Sequence, residues 1–164
     1  MVGIEGFRVS LEEALLFREA TVTDLKSIMN VENAAFTVPW TEAAFRNEFI
    51  INQYAYYLLA IYKEQVVGYA GVWLVLDEGH ITNIAIHPDY QGNHYGEALL
   101  REMIRVAKER GVVRMTLEVR VSNDVAQGLY KKIRISRRRH SEKLLSGYER
   151  RCASDVGGLM KKIH

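Results

Sequence analysis

Short apolar runs alternate along this chain with stretches in which apolar residues recur every three or four positions. The run LLFREA, residues 15–20, predicts a short strand. In TVTDLKSIMNVENAAF, residues 21–36, Leu25, Ile28, Met29, Val31 and Ala35 fall near helical spacing. Thr21 or Thr23 stands ready to cap that helix. TVPW interrupts the pattern, and Thr41 opens a second helix in TEAAFRNEFI. YAYYLLAIY, the turn KEQ and VVGYAGVWLVL then read as an antiparallel hairpin rich in aromatic and β-branched residues. EGHITNIAIHP is one more strand, stopped by Pro88.

The next stretch, DYQGNHYGEALLREMIRVAKERG, changes period again. Leu99, Leu100, Met103, Ile104 and Ala107 share one helical face, and Gly111 is placed to close the helix. VRMTLEVR predicts a strand, and SNDVAQGLYKK a short helix from Ser122 or Asn123. The predicted order is β-α-α-β-β-β-α-β-α, a mixed α/β domain in which an antiparallel meander feeds a βαβ unit. Neither a repeat nor an internal linker interrupts it.

Composition narrows the class. With 48% hydrophobic and 26% charged residues over 164 positions, the chain reads as one globular domain. Its apolar runs fall well short of the roughly 20 residues of a membrane span, and its first residues lack a signal-peptide layout. The single cysteine, Cys152, has no internal disulfide partner, which predicts an intracellular, cytoplasmic protein. The net charge of +2 conceals an asymmetry: residues 1–130 hold eleven Lys and Arg against seventeen Asp and Glu, whereas residues 131–164 hold eleven against three.

The most informative stretch is IAIHPDYQGNHYGEALL: a strand, a glycine-containing loop, and a helix opening near Tyr95. Backbone amides of such a loop and of the helix's first turn favour an anion such as phosphate. Gly92 and Gly96 allow close approach of backbone to ligand. His80, His87 and His94 recur every seven residues, but they straddle a strand end, Pro88 and a loop without carboxylate or thiolate partners at ligand spacing, so no metal site is predicted.

This stretch resembles the coenzyme A loop of the GCN5-related N-acetyltransferases, whose pattern is Gln/Arg-x-x-Gly-x-Gly/Ala. Gln91 and Gly96 fit it, and His94 stands where the first glycine is usual. FTVPW, DEGHITNIAIHPDYQG, GEALL and TLEVRVSNDVAQGLYKK together are similar to the branch of that family that acetylates the N-terminal alanine of a ribosomal protein; the resemblance runs from about Leu16 to Lys132. It implies that fold, with a mixed, mostly antiparallel sheet flanked by helices, and acetyl-CoA as donor. It also implies a set of site residues. Backbone groups of Ile84, Ala85 and Ile86 would pair with pantetheine. Gln91, Gly92, Asn93, His94, Tyr95, Gly96 and Glu97 would hold the pyrophosphate, and Asn123 would hydrogen-bond the cofactor. Glu118 matches the family's general base and Tyr130 its general acid, while Pro39 and Trp40 border the acceptor peptide.

Those residue types suit the chemistry. An α-amino group has a pKa of about 8, so a carboxylate acting through water is base enough, and a phenol protonated at neutral pH can donate to a leaving thiolate. The expected acceptor is a protein or peptide N-terminus. A lysine or small-amine acceptor, or an inactive acyl-CoA-binding module, is the alternative.

After Lys132 the resemblance stops. The family continues into a closing β-hairpin with a Tyr-Tyr pair, whereas this chain has IRISRRRH and a basic tail. Reading the codons one base out of register lets Ile133-Arg134-Ile135-Ser136 give Phe-Gly-Phe-Gln, and lets the following residues give a hairpin-like segment with two tyrosines. One codon is forced: ATG for Met160 followed by the A of Lys161 reads TGA, a stop. The sequence therefore predicts an acetyltransferase domain over residues 1–132 and, over 133–164, a tail put out of frame by a one-base insertion. The basic run is then no sign of nucleic-acid binding, and neither a nucleic-acid nor a membrane partner is expected. The closing hairpin is expected to be altered, with the sheet edge poorly covered.

Overall fold

The computed structural model describes residues 14–120 and 160–163, the last segment and residues 117–120 as backbone only. Strand β1 (Leu16–Glu19) leads through a single 3₁₀ turn (Val22–Asp24) into helices α1 (Leu25–Ala35) and α2 (Glu42–Ile50). Strands β2 (Ala55–Tyr62), β3 (Gln65–Val75) and β4 (Glu78–Ile86) form the meander. A second 3₁₀ turn (Pro88–Tyr90) precedes helix α3 (Tyr95–Glu109), followed by β5 (Arg114–Arg120) and β6 (Met160–Ile163). The sheet order is β1 to β6 in sequence, antiparallel throughout except for the parallel pair β4–β5.

Local chemistry sets the boundaries. The Thr21 N–H donates to Asp24 Oδ2 at 2.9 Å and Arg18 grips the same carboxylate, so the 3₁₀ turn forms first and α1 begins at Leu25. Thr41 caps α2 as expected, its Oγ1 accepting from the Ala44 N–H at 3.1 Å. Lys63 and Glu64, both at positive φ, make a two-residue turn, and Gln65 already belongs to β3. Gly111 at φ 86° follows the end of α3, as its spacing predicted.

The sheet has a packed layer on each face. On one side α3 lays Leu99, Leu100, Met103 and Ala107 against Leu58, Val67, Ile84 and Ile86. On the other, α1 and α2 bury Leu25, Ile28, Val31 and Phe45 against Tyr57, Leu59, Tyr69 and Ala85. Each fully buried aliphatic side chain contributes about 1.5–3 kcal/mol of apolar transfer energy. Gly71 makes the second layer possible: a Cβ there would lie 2.6 Å from the Tyr57 ring.

Two features of β4 matter for the site. Gly71 pairs with Asn83 but Val72 pairs with Ile81, so Thr82 is an extra residue, a β-bulge. The parallel ladder with β5 runs only from Glu78↔Arg114 to Ile81↔Leu117, and β4 continues five residues beyond it. The helix predicted over residues 122–132 lies outside the described residues, as does most of the expected closing hairpin. One piece of that region is described. Met160–Ile163 runs antiparallel to β5, with Glu118 in register with Lys162, so the outer edge of β5, expected to be poorly covered, is paired from Leu117 to Arg120.

Candidate active site

Beyond Ile86 the backbone turns sharply. The His87 N–H donates to Val67 O at 2.8 Å, and the His87 ring accepts from the Asp89 N–H through Nδ1 at 3.2 Å. The Gln91 side chain reaches back to Ile86 O at 3.0 Å, and Asn93 Nδ2 reaches Tyr90 O at 3.0 Å. Gln91 and Asn93 thus act as struts of the loop, a role separate from touching a ligand. Tyr90 and Tyr95 flank Tyr62 at 6.2 and 5.7 Å between ring centroids, anchoring the loop to the β2–β3 turn.

Gly92 has φ 85°, and a Cβ there would meet nothing within 4 Å. Backbone conformation, rather than lack of room, requires glycine, and the space above it is open to a ligand. His94 caps α3 at φ 62°, ψ 18°, in the left-handed region, without a side-chain capping bond. This resolves the departure noted at that position: the turn keeps the glycine-type geometry and a histidine adopts it, at a cost of about 1 kcal/mol. The first helical bond of α3 runs from the Ala98 N–H to His94 O, so the amides of Tyr95, Gly96 and Glu97 form the first turn at the helix end. Glu97 pairs with Arg101 at 2.9 Å, which offsets its charge in the first turn of α3.

Across the sheet lies the loop between α1 and α2, where Pro39 and Trp40 are half-buried. Trp40 is both core and loop residue: its ring lies 5.5 Å from Phe45. Behind the loop is a group that the sequence analysis did not single out. Glu32 is fully buried, accepting the Trp40 N–H at Oε1 (2.8 Å) and the Tyr69 hydroxyl at Oε2. Burial, then the carboxylate of Glu32, holds the Tyr69 phenol protonated well above its usual range. A signal for Glu32 was present, since it lies four residues after Ile28 and seven after Leu25, on the apolar stripe of α1.

In the middle of β4 the bulge at Thr82 begins where the β5 ladder ends, and Glu118 is the first β5 residue beyond that ladder. Ile84, Ala85 and Ile86 link this point to the loop that precedes α3. Asn123 and Tyr130 lie outside the described residues. Among the described residues no cluster of three or more His, Cys, Asp and Glu could hold a metal. His80 and His94 approach separate carboxylates, Glu78 and Glu97.

The model of the Acetyltransferase (GNAT) family matches residues 25–134. The chain belongs to that family. It is an acetyltransferase, and its donor is acetyl-CoA. A Bacillus subtilis relative, provisionally named a [ribosomal protein bS18]-alanine N-acetyltransferase, is 44% identical over 115 residues, covering 70% of this chain and 76% of the relative. The Escherichia coli (strain K12) enzyme of that name is 37% identical over 113 residues, covering 68% of this chain and 74% of its own length. The crystal structure of the ribosomal-protein-S18-alanine N-acetyltransferase from Escherichia coli superposes with a TM-score of 0.69 at 28% identity, covering 92% of this chain and 90% of that one.

Proposed function

We propose that the chain transfers the acetyl group of acetyl-CoA to the N-terminal α-amine of a protein, the N-terminal alanine of ribosomal protein bS18. The 44% identity to a relative carrying that name carries the reading. The geometry agrees with it: a donor turn on one side of β4, an acceptor loop on the other, and a bulged strand between them.

The donor lies along Ile84, Ala85 and Ile86, with its phosphates on residues 91–97 and a further hydrogen bond from Asn123. Pro39 and Trp40 border the acceptor. Glu118, through a water, takes the proton of the α-ammonium, and the freed amine attacks the thioester carbonyl. The N–C bond forms, the C–S bond breaks, Tyr130 protonates the departing thiolate, and the second proton lost by the attacking nitrogen returns the Tyr130 phenolate to phenol. The products are an acetylated N-terminus and the free thiol of coenzyme A. Glu118→Gln is expected to lower kcat by at least about 100-fold, the scale of general base catalysis.

Residues 1–132 form the catalytic domain, and a one-base insertion near Lys132–Ile133 put the tail out of frame; the family match reaching only Arg134 supports this reading. No helix among the described residues is long and apolar enough to cross a membrane, and we place the enzyme in the cytoplasm with its substrate. The deciding experiment compares acetyl transfer to an N-terminal-alanine peptide, a lysine peptide and a small amine, by this chain and by a frame-restored version. Turnover of the alanine peptide supports the reading. Turnover of only a lysine peptide or a small amine overturns it. Activity confined to the restored chain makes this one an acyl-CoA-binding protein damaged by its tail.

A further inference from the structure

Glu32 is a fully buried acid in a layer made of Leu25, Ile28, Val31 and Phe45, a placement glutamate rarely takes. Its oxygens point to two different parts of the chain. Oε1 accepts the backbone N–H of Trp40, eight residues on, at 2.8 Å. Oε2 accepts the hydroxyl of Tyr69, thirty-seven residues on, which is itself fully buried. One carboxylate therefore ties α1, the α1–α2 loop and β3 together. The Trp40 ring continues the connection, packing on Phe45, which meets Tyr69 edge-on at 5.5 Å.

We propose that Glu32 is a positioning residue that holds the Pro39–Trp40 loop in the conformation that receives the acceptor peptide. The inference rests on the acceptor reading given above. It is specific about which substrate is affected, because the sheet separates the two layers. Glu32 lies with α1 and α2 on the Ala85 face, whereas the donor turn packs through Tyr90 and Tyr95 on the Ile84 and Ile86 face. Losing the tie should loosen acceptor binding and leave the donor turn in place. A purely structural carboxylate would affect both substrates through global stability.

The test uses the full chain with Glu32→Ala, Glu32→Gln and Tyr69→Phe, measuring KM for an N-terminal-alanine peptide, KM for acetyl-CoA, and amide exchange of residues 36–41. Glu32→Ala is expected to raise the peptide KM about tenfold, the value of one hydrogen bond to a charged group, with the acetyl-CoA KM unchanged and the Trp40 amide exchanging faster. Glu32→Gln keeps an oxygen for the Trp40 N–H and a donor for the Tyr69 hydroxyl, so it should recover most of the peptide KM. Tyr69→Phe, which leaves the Trp40 bond in place, should have the smaller effect. Equal rises in both KM values overturn the proposal, as does an unchanged peptide KM in Glu32→Ala or a Glu32→Gln variant as impaired as Glu32→Ala. If the wild-type chain acetylates no acceptor, the functional reading has failed rather than the tie. Amide exchange then decides alone: a Trp40 amide unprotected in wild type, or equally protected in Glu32→Ala, overturns the proposal, and protection lost only in Glu32→Ala upholds it.

Discussion

Replacing Gly71 with alanine tests the packing between the sheet and the α1–α2 layer. The added Cβ would sit 2.6 Å from Tyr57 Cε1, 2.7 Å from Cζ and 3.1 Å from the hydroxyl oxygen. Ordinary contact begins near 3.4 Å, so the ring must retreat by about 0.8 Å. It has nowhere to go. Tyr57 is 1% exposed and is held by Phe49 at 5.0 Å, Phe45 at 6.2 Å and Tyr69 at 6.3 Å between ring centroids. Backbone yielding is also restricted, because Gly71 pairs with Tyr57 on one side and with Asn83, beside the bulge, on the other. Overpacking of this kind costs about 1–3 kcal/mol. For a chain of this length that corresponds to a fall in Tm of roughly 3–10 °C. The assay is chemical denaturation followed by circular dichroism, on Gly71→Ala, on Tyr57→Leu and on the double variant. If the clash is the cause, the double variant should be more stable than the sum of the single losses predicts, with a coupling of at least about 1 kcal/mol. A Gly71→Ala protein within about 0.5 kcal/mol of wild type would refute the reasoning.

Two further outcomes follow from local geometry. At His94, glycine relieves left-handed strain but adds unfolded-state entropy, so His94→Gly should change stability by no more than about 0.5 kcal/mol. His94→Val, which tolerates φ 62° poorly, should lose about 1–2 kcal/mol in thermal melts; equal stability of the two variants would contradict the assigned backbone. The hydrogen-bonded Arg18 guanidinium holds the Asp24 carboxyl below its usual range, against a smaller opposing effect of burial. A depressed folded-state pKa gives stability that is present above the unfolded value and is lost as pH falls through the folded one. Asp24→Asn should therefore cost up to about 1 kcal/mol at neutral pH, since Arg18 is half exposed, and nothing once Asp24 itself is protonated. A difference between the two proteins that persists undiminished into strong acid would exclude this linkage.

The hydrophobic pattern by itself determined much of this protein. Alternation and β-branched content located β2, β3 and β4, the three- and four-residue spacing located α1 and α3, and Thr41 and Gly111 marked helix ends where the structure has them. Each of these is a local rule, satisfied within one turn or one strand, so a single chain read from end to end reveals it. The strand, turn and helix around QGNHYG were equally legible, because they are made by contiguous backbone. Tertiary structure alone decided the rest. The bulge at Thr82 exists only against β3, and the left-handed His94 is held by a loop strutted to Ile86 and Tyr90. Glu32, an acid on the apolar stripe of α1, takes its place from Tyr69, thirty-seven residues away, and from the Trp40 amide. A buried polar group is tolerable only with partners, and partners brought together by packing are not neighbours in sequence.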